Sequence, residues 1–125
     1  MHNKPFVVRT SKNVIFIYKN LFEGRYAVEG KVVGTVSLTA NDIPTKPTLT
    51  PCITQLFVSE KYRHKNIGQS LVEFAEHKLR DMGFQKTYLY TTSKTIHEWY
   101  AKLGWKIIEE GTVYNINIKI MERGL

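Results

Sequence analysis

The chain has 125 residues, of which 42% are hydrophobic and 23% charged, and its formal net charge is +7. This length predicts one domain, residues 1–125, with a globular composition. No apolar run approaches the roughly 18 residues of a membrane span, and the N-terminus lacks the apolar segment of a secretory signal, so neither is expected. The single cysteine, Cys52, has no disulfide partner within the chain. Together these features predict a cytoplasmic protein.

The first half of the chain predicts strands separated by turns. Residues 6–22 are apolar but weakly patterned, so that a strand and a short helix both fit them. Residues 26–28 and 32–39 are two β-rich runs joined at Glu29-Gly30, which predicts a hairpin. Three prolines within residues 41–51 predict a loop. Residues 53–58 then predict another strand.

Two helices alternate with strands in the second half. Apolar residues recur at three- and four-residue steps from Ile67 to Met82 and predict an amphipathic helix that Gly83 ends. A second, shorter helix is expected to begin with a capping box and to end at a glycine: Thr95, Glu98, Leu103, Gly104. Strands are predicted at residues 87–91, at 105–109 and around the alternating Ile116, Ile118 and Ile120. The element order indicates an α/β or α+β fold.

The junction between the strand at 53–58 and the first helix is a candidate anion site. A short basic turn there contains Arg63, His64 and Lys65 and leads through Asn66 and Gly68 into the helix. Unpaired backbone N–H groups and the positive end of the helix dipole make such a turn suited to phosphate. The other basic residues are scattered and are not interleaved with aromatic residues, so a phosphorylated small molecule is favoured over nucleic acid. The alternative is that these cations merely form a solvated loop.

Two motifs resemble those of the GNAT superfamily of acetyl-CoA-dependent N-acetyltransferases. The first comprises Val58, Arg63, Asn66 and Gly68, and the second comprises Trp99, Tyr100, Lys102, Leu103, Gly104 and Trp105. The resemblance covers about residues 26–121. It implies a mixed, mostly antiparallel twisted sheet with flanking helices, abbreviated at its N-terminus. It also implies an acyltransferase that uses acetyl-CoA as cosubstrate and needs no metal, and whose exposed edge strands are available for homodimerisation.

The resemblance assigns roles to these positions. Leu56, Phe57 and Val58 are expected to pair with the pantetheine arm through their backbone and to stabilise the oxyanion. The pyrophosphate is expected to bind the turn and the helix start, at Arg63, His64, Lys65, Asn66, Ile67, Gly68, Gln69 and Ser70. Ser93 stands where the family usually has an Asn that contacts the cofactor. Tyr100 is expected to protonate the departing thiolate, whereas Ile96, Trp99, Tyr100 and Leu103 also fit a core stripe at helical spacing.

The general base is not evident from the sequence. The strands beside the expected site offer Thr54, Gln55, Tyr88 and Tyr90, with no carboxylate among them. At pH 7.5 a lysine amine costs about 4 kcal/mol to deprotonate and an α-amine well under about 1 kcal/mol. Either a water relay or a weakly basic acceptor amine would satisfy this chemistry. His64 and His97 are fallback bases, and three residues near the last strands are candidates for selecting a cationic substrate: Glu109, Glu110 and Tyr114.

The sequence therefore predicts transfer of an acetyl group directly to a primary amine of a small molecule, peptide or protein. A CoA-binding or partner-binding module with a degenerate acceptor site is the alternative, because the N-terminal segment is short and a strand carboxylate is missing. A basic nucleic-acid-binding domain is the second alternative. The histidines and Cys52 show no metal-ligand spacing.

Overall fold

A computed structural model describes residues 6–9, 14–18, 22–40, 42, 43 and 45–125. Its described strands form one eight-stranded sheet in the order β1-β2-β3-β4-β5-β6-β8-β7. The strands are β1 (Phe6–Arg9), β2 (Val14–Tyr18), β3 (Phe22–Val28), β4 (Lys31–Thr39), β5 (Cys52–Val58), β6 (Lys86–Thr91), β7 (Lys106–Val113) and β8 (Ile116–Gly124). Two helices complete the fold, α1 (Ile67–Asp81) and α2 (Lys94–Lys102). All pairings are antiparallel except that of β5 with β6, which confirms the mixed, mostly antiparallel sheet.

Tight turns and glycines fall where the sequence placed them. Glu29 and Gly30 both have positive φ, 50° and 80°, as the two-residue turn between β3 and β4 requires. Gly83 follows α1 with a φ of 93° and Gly104 follows α2 with a φ of 97°, so both helices end at a left-handed glycine. The hairpin and both helix ends are confirmed.

Two expectations need correction. The described part of residues 6–22 consists of strands β1 and β2 and the start of β3, so no helix is found among its described positions. The proposed capping box at Thr95 is wrong, because α2 begins at Lys94 and is capped by Ser93, whose Oγ accepts a hydrogen bond from the Ile96 N–H at 3.3 Å. Ser93 accepts from the N–H of the residue three positions later, as N-cap serines do. It therefore takes the capping role that was predicted for Thr95.

The helices cover one face of the sheet and bury the larger core. The buried face of α1 carries an apolar stripe of Ile67, Leu71, Val72, Ala75 and Leu79, as an amphipathic helix requires, whereas Met82 at the end of the predicted stripe is 44% exposed. This stripe packs with Val33, Val36 and Leu38 of β4 and with Leu89 and Met121 of the neighbouring strands. A second cluster includes Ile43, Cys52, Tyr88, Val113, Ile118 and Ile120. Side chains alternate between the two clusters along β5, β6 and β8, so both faces of the central sheet are covered.

A buried carboxylate ties the end of α2 to α1 and β8. Glu76 is 6% exposed, and it accepts hydrogen bonds from Trp105 Nε1 and from Arg123 Nε, each at 3.2 Å. Arg123 also donates from a terminal guanidinium nitrogen to the Gly104 carbonyl at 3.2 Å. A Cβ at position 104 would collide with the Arg123 guanidinium. Gly104 is therefore required both by its positive φ and by this contact.

We expect Gly104→Ala to lower the free energy of unfolding by about 1–3 kcal/mol, because alanine is strained at this φ and displaces Arg123. Chemical denaturation measures the change. Gly124→Ala is the matched control, since a Cβ there meets no atom within 4 Å, and it should change stability by less than about 0.5 kcal/mol. Equal effects of the two substitutions would contradict this account of Gly104.

Candidate active site

The strands β5 and β6 separate to open a gap in the centre of the sheet. Within the described residues they pair at a single register position, Cys52 with Tyr88. On the other side of β5, the Ser59 N–H donates to the Val33 carbonyl at 2.8 Å, so Ser59 faces β4. Backbone groups of successive residues in an extended strand point to opposite sides, which directs those of Val58 and Leu56 toward the gap. These groups are positioned to pair with an extended ligand.

The turn before α1 has two residues in the left-handed region. His64 has a φ of 63° and Asn66 a φ of 62°, and Asn66 is the N-cap of α1. The first backbone hydrogen bond of the helix runs from the Ser70 N–H to the Asn66 carbonyl at 3.0 Å. The N–H groups of the three residues before Ser70 therefore have no acceptor inside the helix. A turn of this shape, joined to a helix N-terminus, can bind an anion through backbone amides.

Cationic side chains surround this turn. Arg63 donates from Nε to the Val58 carbonyl at 2.9 Å, and its guanidinium carbon lies 5.8 Å from the centre of the Phe57 ring. The ammonium groups of Lys61 and Lys65 lie 5.8 Å and 5.6 Å from the centre of the Tyr62 ring. Arg63 is thus fixed against the end of β5, and positive charge is concentrated beside the unpaired amides.

One groove of about 730 Å³ connects the gap with the turn. Its volume lies within the usual range for cofactor and ligand sites. Phe57 and Ile96 leave 54% and 48% of their surfaces exposed at this groove, so it offers apolar contacts beside the amides. The groove is lined by Leu56, Phe57, Val58, Tyr62, Arg63, His64, Asn66, Ile67, Gly68, Gln69, Thr95, Ile96, Trp99 and Tyr100.

Most of the residues expected to contact the cofactor line this one groove. The three β5 residues and Tyr100 do so, together with six of the eight turn and helix residues: Arg63, His64, Asn66, Ile67, Gly68 and Gln69. Lys65 is exposed in the turn and Ser70 lies on the first turn of α1, and neither lines the groove. The Ser93 hydroxyl caps α2. Contact of these residues with a cofactor stays a prediction.

Sequence reasoning did not assign four lining residues to the cofactor site: Tyr62, Thr95, Ile96 and Trp99. Ile96 precedes Tyr100 by four residues, so the two lie on the same side of α2. That spacing was the available signal, but it was interpreted as a core stripe. Trp99 is half-buried, consistent with packing against the core.

Tyr100 is held rigidly in the groove wall. It is 6% exposed, and its ring makes edge contacts with Trp99 and Trp105 at centroid distances of 4.9 Å and 5.5 Å. Burial raises the pKa of its hydroxyl above the ordinary value, and the negative charge of Glu76 raises that pKa further. A phenol of raised pKa stays protonated at neutral pH, so its hydroxyl can donate a hydrogen bond.

The residues considered for acceptor selection lie on the other side of the gap, and two of them are already paired. Glu109 forms an ion pair with Lys46 at 2.6 Å. Glu110 pairs with Lys119, which lowers the pKa of the Glu110 carboxyl. His97 faces a separate cleft of about 400 Å³, and Tyr114 is 86% exposed.

Within the described ranges, no three or more His, Cys, Asp or Glu side chains are grouped so that they could hold a metal ion. The same residues include no helix that is long and apolar enough to cross a membrane.

Comparisons of sequence connect this chain with acetyltransferases. Residues 12–107 match a family model described as "Acetyltransferase (GNAT) domain". The uncharacterized N-acetyltransferase YitI of Bacillus subtilis (strain 168) is 39% identical over 51 residues, which are 41% of this chain and 34% of that protein. The match thus spans about a third of this relative's length.

Solved structures share the fold. An aminoglycoside 6'-N-acetyltransferase complexed with coenzyme A superposes with a TM-score of 0.66 at 19% identity, over 82% of this chain and 72% of that one. The PaiA N-acetyltransferase of Thermoplasma acidophilum, in complex with coenzyme A, has a TM-score of 0.66 at 20% identity, over 82% and 60% of the two chains. Ard1 of Thermoplasma volcanium has a TM-score of 0.70 at 20% identity, over 82% and 70%.

The family model covers most of the chain, and both motifs of the sequence lie within the residues it matches or at their border. The same motifs flank the groove between β5, α1 and α2. This chain belongs to the GNAT family of acetyltransferases.

Proposed function

We propose that this protein transfers the acetyl group of acetyl-CoA directly to a primary amine of a small molecule, peptide or protein. The observation that carries the proposal is the continuous groove from the gap between β5 and β6 to the left-handed turn before α1. It joins, in one site, backbone groups suited to an extended arm and amides suited to a pyrophosphate. Coenzyme A contains an extended pantetheine arm that is connected to a pyrophosphate, which matches this order along the groove.

The gap supplies the contacts for the pantetheine arm and the thioester. Backbone groups of Val58 and Leu56 point into it, so the arm can bind as an added strand. Arg63 already occupies the Val58 carbonyl, which leaves the groups nearer to the middle of the strand for the arm. A backbone N–H at Leu56 is suited to polarise the thioester carbonyl and to stabilise the tetrahedral oxyanion.

The turn supplies the contacts for the pyrophosphate. The amides of Ile67, Gly68 and Gln69 have no helical acceptor, and the positive end of the α1 dipole lies at the same place. Each hydrogen bond from such an amide to a phosphate contributes about 1.5–3 kcal/mol. Three of them, with the charge of Arg63 nearby, are sufficient to anchor the cosubstrate.

Tyr100 is proposed to stabilise the departing CoA sulfur. The sequence suggested complete proton transfer from a phenol of ordinary pKa to the thiolate. Burial raises the pKa of Tyr100, so full transfer to a thiolate whose ordinary pKa is about 8.5 becomes less favourable. Hydrogen-bond donation to the developing thiolate, with solvent supplying the final proton, is the role that this environment favours.

The acceptor is proposed only as a class. The structural relatives share the fold at identities near 20%, and the aminoglycoside named for one of them is a property of that protein. The proposed reaction needs a neutral primary amine that reaches the thioester from the side of the gap opposite the turn.

The test is release of free CoA from acetyl-CoA in the presence of amines of different basicity. Suitable amines are alanine amide, an Nα-blocked lysine, spermidine and an aminoglycoside. We expect wild-type protein to release CoA with at least one of them. Binding of acetyl-CoA without turnover of any amine would contradict the proposal and would support a CoA-binding module without catalysis.

Tyr100→Phe should lower kcat by about 10- to 100-fold, the rate equivalent of one lost hydrogen bond to a charged group. The aromatic contacts with Trp99 and Trp105 are kept, so the KM for acetyl-CoA should change little. Tyr88→Phe is the matched control, since Tyr88 is nearly buried but lines neither groove beside the gap. A Tyr100→Phe enzyme with the kcat of the control would show that the hydroxyl has no role in catalysis.

A further inference from the structure

A second groove lies on the other side of the gap and meets the first one at Tyr100. It has a volume of about 320 Å³. Both grooves are lined by Leu56, Ile96 and Tyr100, so the two meet at these three side chains. A thioester held beside Leu56 and Tyr100 would be reached from this second groove. The groove is therefore the place from which an acceptor amine can approach.

One acidic side chain lines this second groove in the described part of the chain, and it is Asp42. Asp42 belongs to the loop between β4 and β5, and the Thr54 hydroxyl on β5 hydrogen bonds to its carboxylate. Burial raises the pKa of Cys52 on β5 and of Tyr90 on β6, and the charge of Asp42 raises each of them further. Asp42 thus lies at the point where β5 and β6 begin to separate.

Cationic partners for Asp42 are missing among the residues that the structure describes. The lysine of the same loop, Lys46, pairs with Glu109 instead. The groups that face Asp42 from the packed elements are the Cys52 thiol, the Thr54 hydroxyl and the Tyr90 hydroxyl, with Tyr114 acting on Tyr90 from the β7–β8 turn. None of these side chains can carry a positive charge. A half-buried carboxylate without a countercharge is suited to a cationic ligand.

We propose that Asp42 binds the ammonium group of the acceptor amine and accepts its proton before the amine attacks. This inference rests on the proposed acetyl transfer and supplies the base that the strands lack. In the first step the ammonium gives one proton to the Asp42 carboxylate. The neutral nitrogen then forms a bond with the thioester carbonyl carbon, and the carbon–sulfur bond breaks. The nitrogen releases its second proton to solvent, and solvent supplies a proton to the CoA thiolate, so the products are the amide, CoA and protonated Asp42.

The environment of Asp42 favours this role. Burial raises the pKa of its carboxyl, and the hydrogen bond from Thr54 opposes this only in part. A raised carboxyl pKa narrows the difference from the pKa of the amine, which lowers the cost of proton transfer. The remaining difference is smaller for an α-amine than for a lysine side chain, so alanine amide should be acetylated faster than an Nα-blocked lysine at neutral pH.

The raised pKa also predicts that Asp42→Asn lowers activity without lowering stability. Because the folded protein holds the proton of Asp42 more tightly than the unfolded chain, the contribution of Asp42 to stability is present below the unfolded pKa. It is lost as the pH rises through the folded pKa. At pH 7 the ionised carboxylate therefore disfavours folding, and Asp42→Asn should not lower the thermal midpoint. A residue that serves only the structure would lower it.

The experiment compares wild-type protein with Asp42→Asn, Asp42→Glu and the matched control Asp81→Asn, whose side chain is exposed at the end of α1. CoA release is measured from about pH 4, near the ordinary carboxyl pKa, to about pH 8 with acetyl-CoA and each of alanine amide, an Nα-blocked lysine and spermidine. Calorimetric titration with acetyl-CoA measures binding separately. Wild-type kcat/KM should fall as the pH drops through the pKa of Asp42.

We expect Asp42→Asn to lower kcat/KM for the amine by roughly 100-fold or more. The limb of the pH profile that Asp42 sets should disappear, so that the remaining pH dependence follows the pKa of the amine. The Kd for acetyl-CoA and the thermal midpoint should be maintained. Asp42→Glu should recover part of the activity, and Asp81→Asn should match wild type.

Two results would overturn the inference while the proposed function stands: Asp42→Asn with the kcat/KM and pH profile of Asp81→Asn, or loss of acetyl-CoA binding together with turnover. Wild-type protein that releases no CoA with any of the amines would overturn the proposed function itself, and the inference with it.

Discussion

The divergence of β5 and β6 is the constraint on which the site depends. The two parallel strands pair at Cys52 and Tyr88 and then separate, which leaves backbone groups of β5 without a partner strand in the middle of the sheet. Buried backbone N–H and C=O groups without hydrogen-bond partners destabilise the fold. A ligand that forms hydrogen bonds with these groups removes that cost. Helix α2 lies at the gap and places Ile96 and Tyr100 beside Leu56. Packing of Tyr100 between two tryptophans in turn depends on the buried Glu76 and its hydrogen bonds with Trp105 and Arg123.

The gap also separates two chemical environments. On the α1 side, unpaired amides and Arg63 form a positive region suited to a pyrophosphate. On the other side, the charged group lining the second groove is the carboxylate of Asp42, which suits a cationic amine. Such a division suits the proposed reaction between an anionic cosubstrate and a cationic acceptor. The net charge of +7 is therefore a poor guide to the acceptor, since the local charges differ in sign across a few residues.

Local sequence rules predicted the elements whose formation depends on near neighbours. The Glu29-Gly30 turn, the apolar stripe of α1 and the glycines that end both helices are decided by backbone conformation and periodicity, which are visible in the sequence. Asn66 adopts a left-handed conformation, which asparagine tolerates better than other residues with a Cβ. Residues 6–22 and the capping of α2 were predicted less well, because sheet pairing and the competition between Ser93 and Thr95 are not resolved by propensity.

Site residues that belong to a local sequence motif could be predicted. Site residues whose position depends on the course of a loop could not. The turn at residues 63–69 and Tyr100 were found from their motifs. Asp42 was missed because a carboxylate base was sought only on the strands, whereas the loop between β4 and β5 brings this residue to the gap. Asp42 and Tyr100 are far apart in the sequence, and no pattern in it indicates that they line the same groove. Thr95 and Ile96 both line the groove of about 730 Å³ between the gap and the turn. In the sequence, Thr95 fits a helix cap and Ile96 fits a core stripe.

The most direct test of the central claim, that the turn before α1 binds the pyrophosphate of acetyl-CoA, is calorimetric titration of acetyl-CoA into wild-type, Asn66→Pro and Asn66→Gly proteins. Proline cannot adopt the φ of 62° found at Asn66 and has no backbone N–H to donate. Glycine can adopt this φ and keeps the backbone N–H. We predict micromolar binding by wild type, binding within about threefold of it for Asn66→Gly, and binding weakened roughly tenfold or more for Asn66→Pro. Circular dichroism verifies that each variant is folded. Absence of binding by wild type, or equal binding by all three folded proteins, would contradict the account.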